Sequence, residues 1–288
     1  MGTQIQGKLN LLQQLLPDGL LVDSEWLQTR GYSRSLISKY LGSGWLESTA
    51  RGVYRQPGSA FDQKGAEKWQ LLVISLQTLH NLPVTVGGRT ALELQGYAHY
   101  LRQNGVNEIH LYSPVALPRW IHRVPLDERL VSHRTGLFLN SPDSTEWSGL
   151  HWHEKSPTSN VSLPLQTHFI RQTWGSKDWP LILSSPERAI LELLDEVPHK
   201  ETFEQADALF GGLSSLSPRR LQKLLADCRS VKTKRLFLWF AERHQHAWLI
   251  ALDRSKIDLG TGKRMLVHGG RLDRKFLITV PESLLNER

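Results

Sequence analysis

The sequence predicts a mixed α/β protein of the α+β kind, with an N-terminal winged helix-turn-helix followed by a larger region of two lobes. Three observations predict it. Residues 20–57, LLVDSEWLQTRGYSRSLISKYLGSGWLESTARGVYRQP, read as two short helices and then a hairpin. Residues 105–180 break into short alternating segments bounded by Pro, Gly, Ser and Asn, which describes a β-rich lobe with helices at its start. From 185 onward come capped, leucine-rich helical runs that end in two strand-like segments. The predicted divisions are 1–58, 65–184 and 185–288, with PGSAFDQK (57–64) as the first linker.

Taken in order, residues 8–16 form a helix with Leu9, Leu12 and Leu16 on one face, closed by Pro17-Asp18-Gly19. Asp23 caps a second helix that turns Trp26 and Leu27 inward and stops at Arg30-Gly31, since glycine adopts the left-handed conformation of a helix stop. Ser33 caps a third helix over 34–41. Its apolar positions Leu36, Ile37, Tyr40 and Leu41 share one face, and Arg34, Ser35, Ser38 and Lys39 share the other. Gly42 and Gly44 end it. Residues 45–48 and 53–55 then pair as strands around the tip Thr49-Ala50-Arg51-Gly52.

Residues 65–80 make a long Leu-rich helix carrying Trp69. A short strand at 84–86 passes through Gly87-Gly88 into a helix at 90–97, and strands follow at 108–112, 129–133 and 169–171. Ser185-Pro186-Glu187 supplies an N-cap, a first-turn proline and a first-turn acid. Thr202 with Gln205 makes a capping box, and Ser217-Pro218 repeats the cap-plus-proline device. A last helix spans 230–244, with Leu236, Phe237, Phe240 and Ala241 inside. Strands at 265–269 and 275–280 flank Gly269-Gly270.

The chain of 288 residues carries a net charge of +7, which favours an anionic partner, most simply nucleic acid. No apolar run approaches a membrane span. The opening MGTQIQGKLN lacks the charged start and apolar core of a signal peptide, so a cytoplasmic location is expected. The single cysteine, Cys228, excludes an intramolecular disulfide and reads as a buried, inert thiol in a helical run.

The cationic face of the third helix fits phosphate contact and base reading, with Arg51 at the wing tip and Arg55 behind it as further DNA contacts. A solvated polar face would look the same; the glycine turn and the Arg-Gly tip agree with the DNA reading. A second basic run, Arg219, Arg220, Lys223, Arg229, Lys232, Lys234 and Arg235, is either a solvated helical face or a phosphate-tracking surface. His151 with His153, and His244 with His246, lack a Cys or acidic companion at ligand spacing, so they read as surface or packing histidines. Phosphate-loop and Gly-x-Ser-x-Gly motifs are absent from the sequence. One enzymatic alternative is a metal-dependent nuclease built on Asp258, Asp273 and Lys275. Another reading is a protein-interaction module that uses the winged helix as a docking platform. Catalytic residues, metal ligands and cofactors are assigned to no position, and the protein is expected not to be an enzyme.

Several blocks carry a family resemblance over nearly the full length. They are GYSRSLISKYLGSGWLESTARGVYR, VGGRTALELQGYAHYL, SSPERAILELLDEVP, CRSVKTKRLFLWFAERH and GKRMLVHGGRLDRKFLITVP, with Arg-Gly-Val-Tyr and Gly-Gly-Arg-Thr-Ala-Leu-Glu-Leu the more specific parts. The sequence resembles the AbiEi-type antitoxins of type IV toxin–antitoxin and phage abortive infection systems. The resemblance implies a bacterial transcriptional repressor that is also an antitoxin. Its winged helix would bind inverted repeats of double-stranded DNA in its own operon's promoter. Its C-terminal region would counter a nucleotidyltransferase-like toxin. By position the DNA-reading residues are again Arg34, Ser35, Ser38, Lys39, Arg51 and Arg55; no antitoxin motif is placed.

Overall fold

A computed structural model describes residues 2–57, 68–97, 108–139, 168–175 and 177–285, with side chains from residue 7 onward. The linker predicted after Pro57 and the pair His151 and His153 lie outside the described residues.

Helix α1 (Gly2–Leu15) lays Leu9 and Leu12 into the core, with Leu16 just beyond its end. Strand β1 (Val22–Asp23) leads into α2 (Ser24–Thr29), where Asp23 Oδ1 accepts the Trp26 N–H at 2.9 Å. Gly31 turns the chain at φ +84° into α3 (Arg34–Gly42), capped by Ser33. The wing is β2 (Glu47–Ala50) and β3 (Val53–Arg55), and β1 completes an antiparallel sheet of order β1-β3-β2.

The wing's first strand starts two residues later than the expected 45–48. Trp45 and Leu46 are still hydrogen-bonded back to Tyr40 O, which holds them out of the ladder. A bulge between Ser48 and Ala50 leaves only Arg51-Gly52 at the tip, Gly52 having φ +76°.

Helix α4 (Lys68–Thr78) is buried on all sides from Trp69 onward, its polar Gln70, Ser75, Gln77 and Thr78 included. One side takes the winged helix: Leu21 N–H donates to Ser75 Oγ at 2.8 Å, and Trp26 Nε1 donates to Leu79 O at 2.9 Å. The other side lies on a five-stranded sheet. Gln77 bridges to it, its amide donating to Val84 O and Ile182 O and its oxygen accepting the Ile182 N–H. Winged helix, α4 and one layer of sheet side chains form a single hydrophobic core. The predicted division near residue 58 therefore does not coincide with a gap in packing.

The sheet contains β4 (Thr85–Val86), β5 (Glu108–Ser113), β6 (Arg129–Arg134), β7 (Phe169–Trp174) and β8 (Trp179–Ser184) in the order β6-β5-β4-β8-β7. Pairings β5–β6 and β4–β8 are parallel; β4–β5 and β7–β8 are antiparallel. Strand β8 is buried throughout, so it shows none of the alternation that marks a half-exposed strand, and its Pro180 disguises it further.

Helix α5 (Gly88–Leu94) starts two residues before the expected 90–97 and stops earlier, at Gly96 with φ +83°. It joins a second core with α6 (Pro186–Glu196), α7 (Phe203–Gly212), α8 (Pro218–Asp227) and α9 (Val231–His244). The caps expected at Ser185, Thr202 and Ser217 are present: Ser185 and Ser217 each accept a backbone N–H from three residues on, and Thr202 with Gln205 closes a capping box. Ser230, expected as the first residue of the last helix, is its N-cap instead.

The terminal hairpin is displaced from its expected place. Its first strand is β9 (Arg271–Asp273), not 265–269, pairing with β10 (Ile278–Val280). Asp273 Oδ1 accepts the N–H groups of Lys275 and Phe276 and so makes 274–277 the turn, while Met265 is 71% exposed.

Candidate nucleic-acid interface

Ile37 and Tyr40 bury the inner face of α3, and this fixes the direction of the outer one. Arg34, Ser35, Ser38 and Lys39 are all exposed there. Among the described residues neither Arg34 nor Lys39 has an ion-pair partner. Ser35 Oγ lies 3.0 Å from Ser33 Oγ, beside the cap of the same helix.

The scaffold under this face is rigid. Lys8 Nζ donates to Gly31 O at 2.9 Å and Tyr32 OH to Lys8 O at 3.0 Å, tying α1 to the turn between α2 and α3. Arg30 stacks 3.9 Å from the centre of the Trp26 ring. Between α2, α3 and the wing lies a shallow hollow of about 340 Å³ lined by Ser24, Gln28, Arg34, Ser38 and Tyr54 among others.

At the wing, Arg51 is exposed and its carbonyl accepts from Arg123 Nη1 at 3.1 Å. Arg123 lies in a 3₁₀ turn, Arg119–Arg123, whose Arg119, His122 and Arg123 are exposed while Trp120 and Ile121 anchor it. The sequence offered no signal for this neighbour, since some seventy residues separate it from the wing.

Arg55 is placed differently from the other five candidates. It is 8% exposed and donates through Nε and Nη2 to Glu47 Oε2, at 3.3 and 3.0 Å. Its guanidinium braces β3 against β2. The cause is register: Glu47 and Arg55 face each other across the ladder, so the cation finds a carboxylate before it finds solvent.

The second basic run does not form one face. Arg235 is buried and donates to the carbonyls of Leu259, Gly260, Gly262 and Leu277, pinning the loop before the terminal hairpin. Lys234 is 5% exposed. Lys232 Nζ reaches the carbonyls of Asp195 and Val197, and Arg220 pairs with buried Glu187 at 2.8 Å. Arg219, Lys223 and Arg229 stay exposed. Neither a continuous phosphate track nor a fully solvated face describes it.

The residues of the nuclease alternative have local partners. Asp273 caps the hairpin turn, Asp258 Oδ1 accepts the Gly260 N–H, and Lys275 Nζ sits 2.6 and 2.7 Å from the two oxygens of Glu242. Among the described residues no cluster of three His, Cys, Asp or Glu is placed to hold a metal ion. His244 and His246 stack at 5.9 Å, the first against Asp207 and the second against Phe210 O, as packing histidines do. Burial pushes the Cys228 thiol up to about 11, which keeps it protonated and unreactive.

The Gly-Gly-Arg-Thr block clasps the two cores together. Glu192 Oε2 accepts the Gly88 N–H at 3.0 Å, and a Cβ on Gly87 would fall 2.3 Å from that carboxylate and 2.5 Å from the Tyr112 ring. Arg89 pairs with buried Glu201 and reaches Gln205. Thr90 Oγ1 accepts the His110 N–H at 3.0 Å. Glu192 is held in turn by Arg188 Nε at 2.7 Å, both side chains being almost fully buried.

The described residues contain no helix long and apolar enough to cross a membrane. Curated proteins give no sequence match. The crystal structure of the RV2827C protein from Mycobacterium tuberculosis aligns over 92% of this chain and 88% of that chain, with 14% identity and a TM-score of 0.49. Two family models match. Residues 5–103 fit the N-terminal domain of the AbiEi antitoxin transcriptional regulators, and residues 106–281 fit the AbiEi antitoxin transcriptional regulators of type IV toxin–antitoxin systems. The chain belongs to the AbiEi antitoxin family of type IV toxin–antitoxin transcriptional regulators.

Proposed function

We propose that this regulator represses its own operon by inserting α3 into the major groove of an operator in double-stranded DNA, with Arg51 of the wing on the adjoining backbone. One observation carries the reading. Arg34 and Lys39 lie exposed on a firmly held helix and have no partner among the described residues, whereas much of the C-terminal basic run is engaged internally. Unsatisfied cations on a rigid face are what phosphate contact and base reading need. Arg55 acts as the brace of the wing and Arg123 as the strut behind its tip.

The same chain counters a cognate nucleotidyltransferase-like toxin, directly or through its expression, as membership of an antitoxin family supports. It works in the cytoplasm by binding and not by catalysis. The structural duties of Asp273 and Lys275 support this over the nuclease alternative.

The test is a titration of the protein against its own upstream DNA and a scrambled control at two salt concentrations. Preferential retention of the native fragment is expected. Affinity should fall steeply with salt, the logarithmic slope being about 0.9 per phosphate neutralised. Equal binding to both fragments would defeat the operator reading.

A further inference from the structure

A cavity of about 280 Å³ lies where β5, the segment after β6, α6 and the amino end of α9 meet. It is remote in the chain from the DNA-facing helix, and the regulator reading gives it no task. Its walls hold an unequal set of hydrogen-bonding groups.

The acids are spoken for. Glu192 accepts from Arg188 Nε and Gly88 N–H, Glu196 from His133 Nδ1 and Lys200 Nζ, and Asp195 from Thr233 Oγ1. Burial works to raise the Glu196 carboxyl, but its bonds from His133 and Lys200 bring it down to about 2, so it stays ionised and occupied.

The donors are not spoken for. Arg188 Nη1, the Tyr112 hydroxyl and Thr135 Oγ1 are buried without a hydrogen-bond partner. Arg188 itself is 1% exposed and is gripped between the rings of Phe138 and Phe169, 4.4 and 4.5 Å from their centres, so it cannot swing away to find one. Burial, with the nearby carboxylates of Glu192, Glu196 and Asp195, holds the Tyr112 phenol in its protonated, donating form. At the rim, Arg134 and Arg229 are exposed, and no salt bridge engages either among the described residues. Ser230, the N-cap of the fourteen-residue α9, adds the positive end of a helix to the same wall.

Leaving such groups unpaired in a protein interior costs free energy, an arginine most of all. A set of fixed, unpaired donors around a small cavity whose acids already accept hydrogen bonds from the protein is complementary to an acceptor with several oxygens. We propose that this cavity binds a small oxyanion-bearing metabolite, its phosphate or carboxylate group held by Arg188, Tyr112 and Thr135, with Arg134 and Arg229 at the entrance.

The test is calorimetric titration of the full chain with inorganic phosphate, glycerol 1-phosphate and succinate, against sodium chloride at matched ionic strength. Saturable binding of at least one of the three is expected; the two phosphate arms against succinate tell which oxyanion is preferred. Tyr112→Phe removes only a hydroxyl that lacks a partner. It should leave the melting temperature of the unliganded protein unchanged or higher while weakening the anion about tenfold. Arg229→Gln, at the exposed entrance, should weaken it about tenfold as well, and it decides the matter alone if the Tyr112 variant does not fold. Arg34→Ala with Lys39→Ala should leave the anion affinity unchanged, because those cations belong to the DNA face. The proposal is overturned by absence of saturable binding, by binding that both cavity variants retain, or by binding lost with Arg34 and Lys39.

Discussion

Two helices of this protein carry conspicuous cations, and their fates are opposite. On α3 the outward Arg34 and Lys39 meet solvent; on α9 Lys232, Lys234 and Arg235 are drawn inward, Arg235 onto carbonyls that no helix or strand supplies with a donor. Helical spacing of charge does not separate the two cases. What separates them is what lies opposite: an irregular loop at 259–262 leaves acceptors that a buried guanidinium satisfies, whereas nothing described packs over the outer face of α3.

Substitutions test that contrast most strongly at Arg235. Arg235→Met would take the buried guanidinium from several part-buried carbonyls and should cost roughly 3 kcal/mol of stability, seen as a large fall in melting temperature. A shift of a degree or two would mean that the loop is not held from within. Gly87→Ala probes the clasp between the cores. Its methyl group would meet Glu192 and Tyr112, and chemical denaturation should register a loss of about 1–3 kcal/mol. Normal stability there would show that the two cores tolerate separation.

Arg34→Ala with Lys39→Ala should do the reverse of Arg235→Met. Operator affinity should drop at least about tenfold, and the slope against salt should fall by about two, while the melting temperature is kept. Unchanged gel-shift affinity would remove α3 as the reading helix.

The smallest expected effect is on pH. Burial, with His133 alongside, brings His110 down to about 4, and burial with Arg188 does the same to His168. Both rings sit below their unfolded value near 6.5, so the unfolded chain takes up more protons as pH falls. Their contribution to stability is complete above about pH 6.5 and declines toward pH 4. Melting temperatures should decline across that window, less so in His110→Gln; a flat profile would contradict the burial of these rings.

Much of this architecture was readable in the sequence, wherever a local rule decided the outcome. Asp23, Ser33, Ser185, Thr202 and Ser217 cap the helices they were expected to cap. Outcomes set by partners distant in the chain were not readable. Strand β8 takes its identity from neighbours on both sides, Arg55 from Glu47 across the ladder, and Arg123 from a wing far behind it in the chain. The MLVHG segment alternated like a strand, but Asp273 set the turn elsewhere and moved the hairpin with it. The outward placing of Arg34, Ser35, Ser38 and Lys39 was legible because amphipathicity alone orients α3. The clasp at Gly87 and Gly88 was visible only as a motif without a mechanism.

Helix α4 has a mechanical consequence. It fills the underside of the winged helix with one side and seats on the central sheet with the other, so among the described residues the winged-helix head is packed directly onto the rest of the molecule. Cutting the chain at residue 58 would therefore not release a soluble reading module; it would strip away the floor on which Leu21 and Trp26 rest. In the proposed DNA complex, the remainder of the molecule would be held at a set angle to the double helix. Whatever docks on that remainder would arrive at the promoter in a fixed orientation, like a tool clamped in a vice and not one hung on a string.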